Sequence, residues 1–436
     1  MIGDPATLSA SAAAKAVASR QISALELADA LLARVAEREP DVRAWAFLDP
    51  DQVRAAARAA DCRHDGVLRG VPFGIKDVIA TADMPTQYNS PIYAGHRPAT
   101  DAICVARLRG EGAIIMGKTV TTEFAFTRPG PTRNPFDPAR TPGGSSSGSA
   151  AAVAACMVSA ALGTQTGGST IRPAAFCGVF GYKPAFERWD TAGVKPLAPS
   201  LDTLGLLCRD LDDIPLISGV LGGAVQCTAD VPAQPLEIRV LLPPHAGQAD
   251  AESLALLESL GPAQAAPAEW SRLDAAHRII MSVEVARAFA TEWRRDRDRL
   301  GPGIAAFIQS GLERDEAEIA SAWRTVAQAR RWLFEQAPPG RVIATLSTPG
   351  PAPLGLEATG NAVFCRLWTL LHAACLHVPA GLGRARLPIG VQLVQAAGQQ
   401  ADLIAAAKAL RERFGLGLAI EHAWPQPQSY TRCRRP

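Results

Sequence analysis

Two glycine–serine turns and one lysine hold the residue types in this sequence that could do covalent chemistry. Gly143-Gly144-Ser145-Ser146-Ser147-Gly148 opens an alanine-rich segment, and Gly167-Gly168-Ser169 sits at a second turn within GTQTGGST at 163–170. Glycines beside a serine let the backbone approach a ligand and aim N–H groups at it, which is what an oxyanion hole needs. A serine hydroxyl is a weak nucleophile until a base takes its proton. Lys76 lies in an apolar run with Phe73, Ile75, Val78 and Ile79. Such surroundings desolvate the ammonium and lower its pKa, so that a neutral amine can serve as that base. The residues also have a plainer reading, because Gly-Ser loops are common connectors and a strand-end lysine usually snorkels to water. On residue types alone, a hydrolase site and a structural pair of turns both remain open.

Two further motif matches fail on context. Residues 112–119, GAIIMGKT, satisfy the GxxxxGK[ST] pattern of a phosphate-binding loop. That loop must follow a strand, whereas here the intervening Ala, Ile, Ile and Met read as the strand itself. Residues 144–148, GSSSG, match a GxSxG nucleophile elbow centred on Ser146. An elbow needs an apolar strand directly before it, and the residues before this one are RTPG, a turn. The elbow also needs a downstream histidine. His245, His277, His372, His377 and His422 are available, none with a distinguishing context.

The elements that must position these groups read as an α/β arrangement. Residues 7–39 predict two helices, the second opened by a Ser23/Glu26 capping box and carrying a Leu25, Leu31, Leu32, Val35 stripe. A strand is expected over 71–80, a helix over 101–110 and a strand over 113–116 that ends at Gly117. After the proline-rich loop at 127–149, the bland stretch from Ala150 to Leu162 suits a buried helix. Residues 229–236 form a Pro-rich link, 252–335 are helical in pattern, and strands return at 342–350 and 387–394. Alternating strands and helices imply one α/β sheet that carries a helical insertion.

Bulk properties bound the partners. A length of 436 residues supports a large core, and 48% hydrophobic with 20% charged residues is ordinary for a globular enzyme. The net charge of +2 implies no strong field, so neither nucleic acid nor an anionic membrane is expected as a partner. The basic runs at Arg294-Arg295 and at Arg432, Arg434 and Arg435 read as solvated faces or a frayed tail. Nine scattered cysteines without a CxxC pair point to reduced thiols in a cytosol. The first residues lack the pattern of a signal peptide, and no apolar run is long enough to span a bilayer.

GVPFGIKD at 70–77, TPGGSSSGSAAAVAA at 141–155 and LGTQTGGSTIRPAAFCGVFGYKP at 162–184 together resemble the amidase-signature family. The likeness extends to DAICVARLRGEGAIIMGKT at 101–119, SLDTLGLLCR at 200–209 and LPIGVQLV at 387–394. GGSSSGSA and GGSxIRPA, with Arg172 three places after Ser169, are most similar to short-form, malonamidase-like members, as is CRLWTLLHAACLHVP at 365–379. Val120 and Thr170 depart from the usual pattern.

The resemblance implies a mixed sheet of about eleven strands sandwiched by helices. It implies a single domain over 1–436, with its core in 20–228 and 341–420 and a variable, mainly helical insertion at 230–340. Ser169 would attack the carbonyl of an amide, and Ser145, after a cis peptide at Gly144, would pass protons between Ser169 and neutral Lys76. Thr166, Gly167, Gly168 and Ser169 would hold the oxyanion, and Gly144 and Arg172 would line the substrate site. Arg172 would grip a substrate carboxylate, or else make an ion pair or cap carbonyls near the turn. No metal or organic cofactor is implied, and the expected partner is a small amide or carbamate met by a monomer or homodimer. A carbamate or aryl-ester hydrolase would use the same triad. The amidase-like subunit of a tRNA-dependent amidotransferase is the third alternative.

Overall fold

The computed structural model describes residues 3–63, 65–223, 236–396 and 400–415. The Pro-rich link (apart from Leu236), the basic tail and His422 lie outside the described residues. Eleven strands form a single sheet: β1 Trp45–Leu48, β2 Pro72–Lys76, β3 Ile114–Thr119, β4 Ala160–Gln165, β5 Phe180–Lys183, β6 Thr203–Cys208, β7 Glu237–Leu242, β8 Ala263–Ala265, β9 Arg341–Leu346, β10 Ala374–Leu382 and β11 Pro388–Gln395. Their order across the sheet is β1-β3-β2-β4-β6-β5-β10-β11-β9-β7-β8. β2 runs parallel to both β3 and β4, while β4, β6, β5, β10, β11 and β9 follow one another antiparallel. Helices flank the sheet, as the family resemblance implied.

Several local expectations hold. The Ala24–Val42 helix starts at Ser23 with both halves of the capping box in place. The GxxxxGK[ST] match is strand: β3 continues through Gly117, and Lys118 is buried with Nζ donating to Ile79 O at 2.6 Å and Thr86 Oγ1 at 2.5 Å. Other expectations are corrected. The strand expected over 71–80 stops at Lys76, so the lysine sits at the strand end and not in its middle. The helix expected from Ala150 to Leu162 covers only Ser147–Ala154. A turn with Cys156 at φ 56° follows, and Ala160, Ala161 and Leu162 then pair with β2 and β6. Alanine favours a helix, but a central strand squeezed between two neighbours and a buried helix also selects small side chains, and here tertiary context decides. The stretch expected to be helical within 252–335 also contributes β8 to the sheet.

The Ser147–Ala154 helix accounts for the small residues after the first glycine–serine turn. All eight of its residues are buried. A Cβ on Gly148 would come within 2.2 Å of Ala44 O and 2.4 Å of Val120 N, both backbone atoms that cannot swing aside. The helix therefore packs backbone to backbone against the β1–β3 edge, which fixes where its N-terminal serines stand. We expect Gly148→Ala to destabilise the protein by about 1–3 kcal/mol, the usual cost of overpacking. A lowered urea midpoint at unchanged slope would show it, and a wild-type midpoint would refute the contact.

Candidate active site

β2 delivers Lys76, β4 delivers Thr164, and the turn before the Ser147–Ala154 helix delivers Ser145. Lys76 Nζ lies 2.7 Å from Ser145 Oγ and 2.7 Å from Thr164 Oγ1. The Gly144–Ser145 peptide is cis. No carboxylate among the described residues pairs with this amine. Burial pushes the Lys76 pKa well below its ordinary 10.5, further helped by the Arg172 charge and opposed by Asp202. A neutral amine keeps a lone pair that can accept from one hydroxyl while its N–H donates to the other.

Ser146, the centre of the rejected elbow motif, is a brace. Its Oγ bonds Thr164 O at 3.3 Å and accepts from Thr164 N at 3.2 Å, and its own N–H donates to Ser169 O at 3.2 Å. The two glycine–serine turns are thus bonded to each other. Ser169 is 8% exposed, and its hydroxyl makes no hydrogen bond to any described residue.

The loop from Thr166 to Ser169 is held by its carbonyls. Thr166 O meets His277 Nε2 at 2.9 Å, Gly167 O accepts from Thr369 Oγ1 at 2.8 Å, and Gly168 O accepts from Arg172 N at 3.0 Å. The N–H groups of Gly167, Gly168 and Ser169 find no partner among the described residues. Three unsatisfied donors on one tight turn are an anion-binding concavity. Beyond it, Gln165 Oε1 accepts from Thr170 N at 2.8 Å and Ile171 N at 3.0 Å, and Gln165 Nε2 donates to Thr369 Oγ1 at 3.0 Å. Thr166 Oγ1 donates to the half-buried Asp202, whose carboxyl desolvation pushes up to about 6. Burial also pushes His277 down to about 4, so at neutral pH its Nε2 is the N–H donor to Thr166 and its Nδ1 carries the lone pair.

Arg172 donates from one terminal nitrogen to Gly144 O at 2.6 Å and from the other to Gly360 O at 2.8 Å. This is the carbonyl-capping arrangement foreseen for it, and it ties the cis turn to the nucleophile loop. Lys76, Ser145, Thr166, Gly167, Gly168, Gly144 and Arg172 are therefore brought together around Ser169. Sequence reasoning missed Thr164, Gln165, Asp202, His277 and Thr369. Thr164 and Gln165 stood inside the GTQTGGST motif and could have been read. His277 and Thr369 carried no local signal.

A family model described as Amidase matches residues 26–237. The A subunit of glutamyl-tRNA(Gln) amidotransferase from Anaeromyxobacter sp. (strain K) is 35% identical over 92% of this chain and 94% of its own length. The chain belongs to the amidase-signature family. The A subunit from Chloroflexus aurantiacus is 44% identical over 50% of this chain, and the chain spans only about half of that relative, 47% of its length. A solved structure described as an amidase superposes with a TM-score of 0.84 at 26% identity, covering 94% of this chain and 100% of the other.

These relatives correct the expected partners. Their shared name is that of one subunit of a larger enzyme that acts on a tRNA, which overturns both the exclusion of nucleic acid and the monomer or homodimer. A net charge of +2 describes the field of this chain alone and does not bound what an assembly around it handles. Among the described residues, no helix is long and apolar enough to cross a membrane.

Catalysis that draws on Lys76 as a base requires the unprotonated amine, so activity is lost as pH falls through its depressed pKa. We expect kcat/KM to rise with pH and level off well below 10.5. Thr164→Val removes a hydroxyl that stabilises the ammonium and should move the acid limb to lower pH. An acid limb that stays in place when Thr164 is changed would assign the titration to another group.

Proposed function

We propose that the protein hydrolyses a small amide through an acyl-enzyme on Ser169, with Ser145 and Lys76 as its proton relay. The observation that carries the reading is the buried Lys76 amine, 2.7 Å from Ser145 Oγ and with no carboxylate in ion-pair contact among the described residues. Ser169 gives its proton to Ser145 as Ser145 passes its own to the Lys76 lone pair, and Ser169 Oγ bonds to the carbonyl carbon. Amides of Gly167, Gly168 and Ser169 hold the oxyanion, which is worth several kcal/mol where water is excluded. The C–N bond then breaks, and the proton returns through Ser145 to the leaving nitrogen. Water repeats the sequence and releases the acid. We propose that residues 1–436 act as one catalytic unit in this reaction.

A second reading is favoured by the shared name of the relatives and by their 92% coverage of this chain: the amidase-like subunit of an amidotransferase, passing ammonia to a partner chain. Turnover of simple amides by the isolated chain supports the first reading. Glutamine hydrolysis that appears only with partner chains supports the second.

Both readings expect Ser169→Ala to lose at least roughly a thousandfold in kcat with the fold intact, since the attacking atom is gone. A fluorophosphonate should attach to Ser169, read by peptide mass spectrometry. Label on Ser146 would return the elbow arrangement to consideration.

A further inference from the structure

His277 is buried, and only one of its ring nitrogens is bonded. Nε2 donates to Thr166 O at 2.9 Å, while Nδ1 finds no partner among the described residues. A buried acceptor left without a donor costs stability, and leucine or methionine would fill similar space without that cost. What the imidazole adds is the bond to Thr166. The helix that carries it, Leu273–Ala288, is seated on both sides of the ring. Asp274 Oδ1, three residues before, accepts from Arg366 Nε at 2.6 Å, and Glu284 Oε2, seven residues after, accepts from Ser200 N at 2.9 Å. Spacings of three and seven put all three side chains on one helix face. Arg366 stands on the Val363–Leu370 helix, whose Thr369 holds Gly167 O, and Ser200 lies two positions before the Asp202 that accepts from Thr166 Oγ1. The ring is thus fixed beside the loop, and a Cβ on Gly167 would meet its Cε1 at 3.7 Å.

Thr166 O and the Gly167 N–H belong to one peptide group, and among the described residues only the Gly144–Ser145 bond is cis. In a planar trans peptide the carbonyl and the N–H point in opposite directions, so whatever holds one directs the other. We propose that His277 is a positioning residue: by holding Thr166 O it turns the Thr166–Gly167 peptide so that Gly167 N–H is presented to the developing oxyanion. A donor on the carbonyl also polarises the peptide and strengthens its N–H as a donor. Thr369 on Gly167 O and the Arg172 amide on Gly168 O direct the next two N–H groups in the same way. This role rests on the acyl-enzyme reading, in which these amides hold the oxyanion.

The test compares the wild type with His277→Gln, which keeps an N–H donor near the Nε2 position, and with His277→Leu, which keeps the bulk and loses the donor. The readouts are ammonia release from butyramide and the second-order rate of Ser169 phosphonylation by a fluorophosphonate, whose P=O oxygen uses the same amides. His277→Leu should lose roughly ten- to a hundredfold in kcat and in phosphonylation, less than removal of a whole oxyanion donor, with KM within about threefold of wild type. His277→Gln should recover most of that loss, and the acid limb set by Lys76 should stay in place in both variants. Equal losses in the two variants would show that the imidazole acts by packing alone. That result, a wild-type rate in His277→Leu, or a loss confined to KM overturns the proposal. His277→Met is the donor-free variant should His277→Leu fail to fold. Failure of the hydrolase reading has its own signature: Ser169 of the wild type reacts with the fluorophosphonate while no amide is turned over, and the labelling rates of the variants then decide the role of His277.

Discussion

A cation-forming group buried without an acid beside it is the constraint around which this protein is organised. Lys76 is fully buried, and its neighbours are two hydroxyls. A full ammonium there would carry a large desolvation cost, which pushes the lysine pKa down and favours the neutral amine. The surroundings keep that balance. Asp202 supplies a distant negative charge, but its own oxygens are occupied by Thr166 Oγ1 and by the amides of Leu197 and Ala198. The nearest fixed positive charge, Arg172, opposes protonation of the lysine. The contrast with Lys118 on the neighbouring strand is instructive. It is as deeply buried but has Asp77 at 3.7 Å, and it braces the loop after β2 through Ile79 O and Thr86.

The second requirement is a rigid loop whose amides are left free of protein partners among the described residues. That is achieved by using up its carbonyls. His277, Thr369 and the Arg172 amide each take one, from three different helices. Gln165 then ties the start of the next helix to the same Thr369. The Leu273–Ala288 helix, between β8 and β9, supplies the histidine that bonds Thr166 O.

What could be read from the sequence follows the range of the interactions. Lys76, Ser145 and Ser169 stand in short motifs whose composition reflects their own backbone, so they were visible. The same holds for the capping box at Ser23, which is closed within four residues. His277 meets Thr166 from 111 positions away, and Gln165 meets Thr369 across 204, so nothing near either residue announces the partner. Arg172 was visible as a residue, but its partners were not, since Gly360 lies 188 positions on. The alanine run after Ser149 misled for a different reason. Small side chains serve a buried helix and a crowded central strand equally, and only the neighbouring strands distinguish them.

The strand order has a consequence for when the second glycine–serine turn is secured. β5 lies beside β6 on one side and beside β10 on the other, and the loop around Ser169 is fastened by Thr369 just ahead of β10. During synthesis Lys76, Ser145, Ser169 and the glycine turns all emerge within the first half of the chain, yet the fastening residue Thr369 arrives late. Pairing across such separations is slow, because loop closure precedes the contacts that reward it. A ribosome-bound chain thus carries both glycine–serine turns and Lys76 while still lacking the Thr369 bond that fastens the second turn. The alignment of the early glycine–serine loop therefore depends on residues far along the sequence.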